Sequence, residues 1–269
     1  MARILRKIKQ LLGKSQPASV EWMGDYTYWS NAASDCVGYD AYEIAEKVSL
    51  ATLQVIEGKA KYARDGVVFY ESHFNWPLIA VIQRIALMSG KPIRVLDFGG
   101  AFGDVYLQNR PLIDDQIVFW RVVEQDTMLK TANYLPKVGK LFFGRFEDQE
   151  ASNFDLIIVS SVLQYLPNYE QMISALVSLN AAGIFVDRTS FTEKTRYQHR
   201  VTKQVVRPPL YEASYPCVFF CKKTFISLFD PYEIQFEFTN TDTANIPSRF
   251  LGIYFEKGKP IKCLTGKKY

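Results

Sequence analysis

The sequence predicts an α/β protein. Its core is a Rossmann-like, doubly wound, mostly parallel sheet with a C-terminal antiparallel hairpin and an N-terminal helical cap. Three observations predict it. Residues 93–103, Ile-Arg-Val-Leu-Asp-Phe-Gly-Gly-Ala-Phe-Gly, read as an apolar strand running into a glycine-rich turn, with a helical pattern after it. Apolar strand-like runs then alternate with helical segments up to Asp187, the signature of βαβ units. Finally, residues 233–238 and 250–256 form two strand patterns separated by a polar loop.

A chain of 269 residues can bury one full α/β core with an appendage; a cap over residues 1–90 and a main domain over residues 91–269 are expected. Hydrophobic content of 48% and charged content of 22% are ordinary for a globular protein. No apolar run is long enough to span a bilayer, and basic residues interrupt the N-terminal apolar positions, so no cleavable signal is expected. Of four cysteines only Cys217 and Cys221 are close, at a spacing usual for neither zinc nor redox pairs. With two histidines, His73 and His199, the sequence supports no metal site and fits buried free thiols in a reducing cytoplasm. Residues 1–14 carry Arg3, Arg6, Lys7, Lys9 and Lys14 and no acid, more than the whole net charge of +4. The nearly neutral remainder argues against a nucleic-acid partner.

Ile4, Leu5, Ile8, Leu11 and Leu12 share one face of a short basic amphipathic helix. Such a helix can lie on an anionic membrane surface, here the inner face of the membrane, or pack on the domain or a partner. Residues 21–40 hold Trp22, Tyr26, Trp29 and Tyr39 among turn residues without clean periodicity. They read as an ordered loop lining a ligand site, or as an aromatic plug sealing the sheet. Asp40 and Glu43 form a capping box for a helix stopped by Gly58, and Trp76-Pro77 opens a second helix that ends at Gly90.

The first strand and turn carry Asp97-x-Gly99-x-x-x-Gly103, which fails the dinucleotide spacing because Ala101 and Asp104 stand where glycines are needed. The pattern resembles motif I of class I S-adenosylmethionine-dependent methyltransferases, although Ala101 replaces the family's usual middle glycine. The resemblance implies S-adenosylmethionine as cofactor, wrapped at its amino-acid end by Asp97, Gly99, Gly100 and Gly103. The next apolar run, residues 117–123, ends in Glu124, an acid roughly 20 residues past the glycines and suited to the two ribose hydroxyls. Gln125 beside it joins the candidate cofactor contacts. A third strand over residues 140–143 precedes Glu147 and Asp148, either of which the resemblance places near adenine; solvated loop acids are the alternative. Residues 154–161 form a strong fourth strand. With Ser160 and Ser161 at its end, and Gln164 and Tyr165 following, it resembles the family's fourth motif beside the transferred methyl group. A fifth strand ends at Asp187-Arg188. The terminal hairpin separates this topology from an all-parallel dinucleotide fold.

Between the fifth strand and a short helix lies an insertion, residues 189–216, with His199, Tyr211 and Tyr215 among basic residues and prolines. Its length and aromatics suggest a lid. The spacing Trp22-x-Gly24-x-Tyr26-x-x-Trp29 with Gly38-Tyr39-Asp40 is similar to a bacterial family of methyltransferases of unassigned substrate, associated with surface-polysaccharide synthesis. The expected activity is methyl transfer to a small acceptor, a hydroxyl of a sugar or surface-polysaccharide precursor. His199 and Asp187 are the general-base candidates, and His73 a weaker one. Candidate acceptor contacts are Trp22, Tyr26, Trp29, Tyr39, Gln164, Tyr165, Arg188, Tyr211 and Tyr215. The alternatives are a non-catalytic cofactor-binding or scaffold protein of the same fold and, more distantly, a nicotinamide-dependent oxidoreductase.

Overall fold

The computed structural model describes residues 20–37, 41–149, 153–193, 198–208 and 210–258. The basic N-terminal segment and Tyr39 lie outside these residues. The chain opens with β1 (Val20–Tyr26), α1 (Trp29–Ser34), α2 (Ala41–Ile56), β2 (Tyr62–Arg64), β3 (Val67–Phe69) and α3 (Trp76–Ser89). The alternating core follows: β4 (Ile93–Phe98), α4 (Asp104–Ile113), β5 (Ile117–Val123), α5 (Asp126–Ala132), β6 (Leu141–Gly144), β7 (Leu156–Ser160), α6 (Tyr169–Ser178) and β8 (Gly183–Thr192). Last come β9 (Arg200–Val206), β10 (Ala213–Phe219), α7 (Lys222–Ser227), β11 (Tyr232–Thr239) and β12 (Ser248–Lys257).

Seven strands form one sheet in the order β11-β12-β8-β7-β4-β5-β6. The pairs β4–β5, β4–β7, β5–β6 and β7–β8 are parallel, while β12 runs antiparallel to both β8 and β11. A parallel sheet that reverses direction of winding beside its first strand and closes with one antiparallel strand is the class I methyltransferase fold. Strand periodicity supplies both layers. Leu96 and Phe98 of β4 join Ile157, Val159, Ile184 and Val186 against α6 and α7 on one face. Ile93 and Val95 join Trp120, Ile158 and Phe185 against α3 and α4 on the other.

The helical boundaries follow local signals. Asn75 caps α3, its Oδ1 accepting from the Leu78 amide at 3.2 Å, with Pro77 in the first turn and Gly90 closing the helix in a left-handed conformation. Residues 59–72, mixed and polar in sequence, hold the β2–β3 hairpin, turned by Asp65 and Gly66 with φ 53 and 77. An Asp-Gly pair of positive φ is a strong hairpin former; the three-residue strands are too short to show alternation.

Two expectations are corrected. The described part of the stretch expected as a loop, residues 21–37, is not one: Val20 to Tyr26 is a strand whose Trp22 pairs with Gln204 of β9, and Trp29 to Ser34 is α1. The insertion is not a free lid either. Its first residues lengthen β8, and β9 and β10 pair as a hairpin, so that β1, β9 and β10 make a second, three-stranded sheet. Trp22 is buried in that sheet's cluster with Cys217, Phe219 and Phe250, which is the plug and not the ligand wall.

Where β8 leaves the parallel core it carries a bulge. Val186 pairs with Ile253 and Thr189 with Leu251, leaving Asp187 and Arg188 opposite Gly252 alone. Arg188 adopts φ 47 there.

Trp22→Ala is expected to cost about 3–5 kcal/mol of stability, the usual range for emptying a tryptophan site in a core. Urea unfolding measures it. If Trp22 served a ligand from an exposed position, the loss would stay within about 0.5 kcal/mol.

Candidate active site

A cleft opens along the carboxyl ends of β4, β5, β7 and β8, where a doubly wound sheet binds its ligands. It has two lobes. One encloses about 800 Å³ and is largely apolar, walled by Phe98, Val123, Phe146, Val162 and Leu166. The other, about 590 Å³, is mixed; it carries the greater number of charged and amide groups, with Arg64, Asp65, His73, Asn75, Asp187 and Asn240 among its walls, and is in that sense the polar lobe. Gly99, Glu124, Gln125, Ser161 and Tyr211 border both lobes.

The glycine turn is built on a buried acid. Asp97 ends the apolar face of β4 and is fully buried; its Oδ2 accepts from Trp120 Nε1 at 2.9 Å, while Oδ1 has no partner. A side chain at Gly100 would overlap the Asp97 carboxyl group, so the backbone can cross only as glycine. Ala101, where the sequence lacks the expected glycine, still takes φ 50. Its amide donates to Glu124 Oε1 at 3.0 Å, and the Gln125 amide donates to Glu124 Oε2 at 3.1 Å. These bonds hold the carboxylate at the junction of the lobes. Burial pushes the Glu124 carboxyl above the ordinary carboxylate range, and the two backbone donors oppose the shift.

Asp104, unassigned by the sequence beyond its misfit to the dinucleotide pattern, lies in the polar lobe and accepts from the Thr52 hydroxyl at 2.8 Å. Burial raises both Asp97 and Asp104 from 3.8 to about 7; the neighbouring acids add to the effect, and the Trp120 and Thr52 bonds work against it.

Asp187 and Arg188, turned outward by the bulge, knit the polar lobe together. Asp187 Oδ2 accepts from Asn75 Nδ2 at 2.8 Å; Oδ1 accepts from Asn240 Nδ2 at 3.0 Å and from the Arg188 amide at 2.9 Å. Arg188 pairs with Asp65 at 2.9 Å and Asp242 at 3.2 Å. Each residue therefore fastens the cap to the β11–β12 loop. With three donors on its carboxylate, Asp187 is a structural hub; the general-base role expected of it does not fit. Arg188 lines the lobe but its charge is met by two acids.

The remaining candidates divide. Ser160 lines the polar lobe, Tyr165 and Tyr215 line the apolar one, and Ser161 at φ 53 and Tyr211 serve both. Gly103 shapes the turn as the left-handed N-cap of α4 and touches neither lobe. Gln164 is buried beneath the site, its Nε2 donating to Ser161 Oγ at 3.3 Å and to the Arg188 carbonyl at 3.1 Å. Asp148 is turned back to accept from the Arg145 amide at 3.1 Å, and Glu147 takes the wall position. Tyr26 donates its hydroxyl to Asp35, and Trp29 packs on the sheet core; with Trp22, neither lines the cleft.

His199 is the largest correction. Its Nδ1 accepts from the Cys221 amide at 2.9 Å, its ring meets Tyr169 and Phe220 edge-on, and it lines neither lobe. Burial lowers its pKa, which keeps the imidazole neutral as an acceptor. His73, the weaker candidate, is the histidine in the cleft. Among the described residues no group of three or more His, Cys, Asp or Glu side chains is placed to hold a metal ion.

No family model and no curated protein matches the chain. Among solved structures it is similar to the N-terminal domain of EvdMO1 with S-adenosylhomocysteine bound, at 12% identity over 82% of this chain and 98% of that one, TM-score 0.48. It is also similar to the N-methyltransferase NodS from Bradyrhizobium japonicum WM9 in complex with S-adenosylhomocysteine, at 15% identity over 82% and 100%, TM-score 0.46. A third is the 1,6-didemethyltoxoflavin-N1-methyltransferase of Burkholderia thailandensis, at 14% identity over 82% and 92%, TM-score 0.44. The fold assignment stands on the strand order above.

A pH experiment tests the buried acid. Unfolded, Asp97 titrates near 3.8; folded, near 7. The folded chain thus holds a proton that the unfolded chain lacks between these values, and this contribution to stability is lost as pH rises through about 7. Asp97→Asn removes the charge and keeps an oxygen for Trp120. The variant is expected to be more stable than the parent at pH 8, with the advantage shrinking at pH 5. An advantage independent of pH in thermal melts would mean that Asp97 is not ionised at a cost in the fold.

Proposed function

We propose that the chain is an S-adenosylmethionine-dependent methyltransferase acting on a small acceptor, a hydroxyl of a sugar or surface-polysaccharide precursor. One observation carries the reading. At the carboxyl edge of a class I sheet, the glycine turn, Glu124 and Ser161 stand where an apolar lobe meets a polar one. The residues fit the cofactor. The apolar lobe suits a flat base, and Phe146 and Leu166 would enclose it. Glu124 keeps lone pairs for ribose hydroxyls beside the two amides it already accepts. Gly99, Gly100 and Ser160 would hold the amino-acid end, with Asp104 supplying negative charge for its ammonium group. When bound, S-adenosylmethionine supplies a methyl group activated on a sulfonium.

The chain's own contribution to transfer is chiefly positioning. The polar lobe borders the shared edge at Gly99, Ser161 and Tyr211, so an acceptor seated there faces the junction. His73 is the imidazole available in that lobe to take the hydroxyl proton. Tyr165, Tyr215 and Gln204 close the apolar side: Tyr165 donates to Gln204 Oε1 at 2.9 Å, and Gln204 donates to the Tyr215 hydroxyl at 3.2 Å. Burial pushes both phenols well above their ordinary range, so they serve here as neutral groups. The basic residues 1–14 would bring a cytoplasmic enzyme to the anionic inner face of the membrane. A second reading, cofactor binding without turnover, is favoured by Ala101, whose amide already engages Glu124.

Glu124→Ala is expected to weaken S-adenosylhomocysteine binding by about 1.5–3 kcal/mol, the range for hydrogen bonds to a charged group. Calorimetry on folded protein measures it. Unchanged affinity would remove Glu124 from the site, and no binding by the parent chain at millimolar concentration would sink the cofactor assignment. Bound cofactor with no methyl transfer across a panel of hydroxyl and amine acceptors would support the second reading.

A further inference from the structure

The polar lobe holds an aromatic side chain that packing does not explain. Trp76 begins α3, whose Leu78, Ile79, Val81, Ile82 and Ile85 are buried, yet Trp76 is 62% exposed; Leu87 and Met88 at the other end of the helix are exposed too. It lines the polar lobe and is steadied by the Phe74 ring, whose centroid lies 5.6 Å away at an interplanar angle of 63°. An open indole face in a cleft is a surface for an apolar ligand face.

The groups beside it are amides set at fixed positions. Asn75 and Asn240 come from elements 165 residues apart and both donate to Asp187. Asp187 therefore fixes which end of each amide is spent. Asn75 also accepts from the Leu78 amide with its Oδ1, leaving one N–H; Asn240 keeps one N–H and its Oδ1. Both arginines of the lobe are engaged within the fold. Arg188 is held between Asp65 and Asp242, and the Arg64 guanidinium lies over the Phe69 ring at 5.8 Å. A flat apolar face flanked by two N–H donors and one acceptor oxygen, with the nearby guanidinium of Arg188 already neutralised, is complementary to an uncharged polyol ring. It suits a phosphate poorly.

We infer that the polar lobe is a pyranose subsite, with Trp76 as the stacking platform and Asn75 and Asn240, positioned by Asp187, reading the ring hydroxyls. This deepens the reading under Proposed function by naming the acceptor's ring and the residues that choose it. The C–H face of the ring would cover the indole, and the hydroxyl facing the lobe junction would be the one presented for methylation.

The test is saturation-transfer NMR on the full chain with the methyl α-glycosides of glucose, galactose and mannose as probes, with and without S-adenosylhomocysteine. Transfer to at least one glycoside is expected. Trp76→Ala should weaken it at least about tenfold, roughly 1.4 kcal/mol, while Trp76→Phe retains most of it. Asn240→Ala should change the preference among the three sugars. S-adenosylhomocysteine affinity should stay within about twofold in all three variants, because neither Trp76 nor Asn240 is among the groups assigned to the cofactor. No transfer to any glycoside, or equal transfer to parent and Trp76→Ala, overturns the inference. So does preferential binding of a planar phenol such as 4-nitrophenol. Failure of S-adenosylhomocysteine to bind the parent strikes the cofactor reading instead, since the glycoside arm without it still reads the subsite.

Discussion

The bulge in β8 is the constraint on which the polar lobe of the cleft depends. A regular strand would send Asp187 and Arg188 to opposite faces of the sheet. Two residues set against Gly252 instead bring both to the cleft, at the cost of a left-handed backbone at Arg188. Gly252 has its own reason to be glycine, because a side chain there would overlap the Phe238 ring. From this one irregularity run the bonds to Asn75 and Asn240 and the ion pairs to Asp65 and Asp242. The N-terminal cap and the β11–β12 loop are joined through β8.

The glycine-turn side of the cleft rests on a different tension. Asp97, Asp104 and Glu124 are all drawn above the ordinary carboxylate range, with burial the first cause of each. Their neighbours within the fold offer hydrogen bonds from Trp120, Thr52 and two backbone amides. A cationic ligand group would relieve the charge more completely than any of these. Stability held back in this way is typical of a binding site, where residues suited to a ligand are poorly suited to an empty fold.

The small sheet of β1, β9 and β10 connects both sides to the rest of the chain. Its buried face is sealed by Trp22, Cys217 and Phe219, and its hairpin carries Tyr211 and Tyr215 to the cleft. His199 anchors the start of β9 to the amide that opens α7. The insertion is thus tied at its base by a neutral imidazole and along its length by β1, while its aromatic side chains reach the two lobes of the cleft.

Much of this was legible in the residues. The strand-turn-helix at residues 93–103, the alternation of strands and helices, the closing hairpin and the place of Glu124 at the end of the second strand all follow from local periodicity and spacing, because adjacent elements encode them within a few tens of residues. The tertiary structure decided what depended on distant pairing. Trp22 became a plug because β1 found β9, about 180 residues away, and no local pattern announces such a partner. Of two histidines, one was walled in by Tyr169 and Phe220 and the other left in the cleft, which their flanking residues could not distinguish. The polar lobe draws Arg64, Asn75, Asp187 and Asn240 from four separated elements. Its chemistry exists only where the bulge and the cap converge, since side chains become neighbours through the packing of elements and not through their order along the chain.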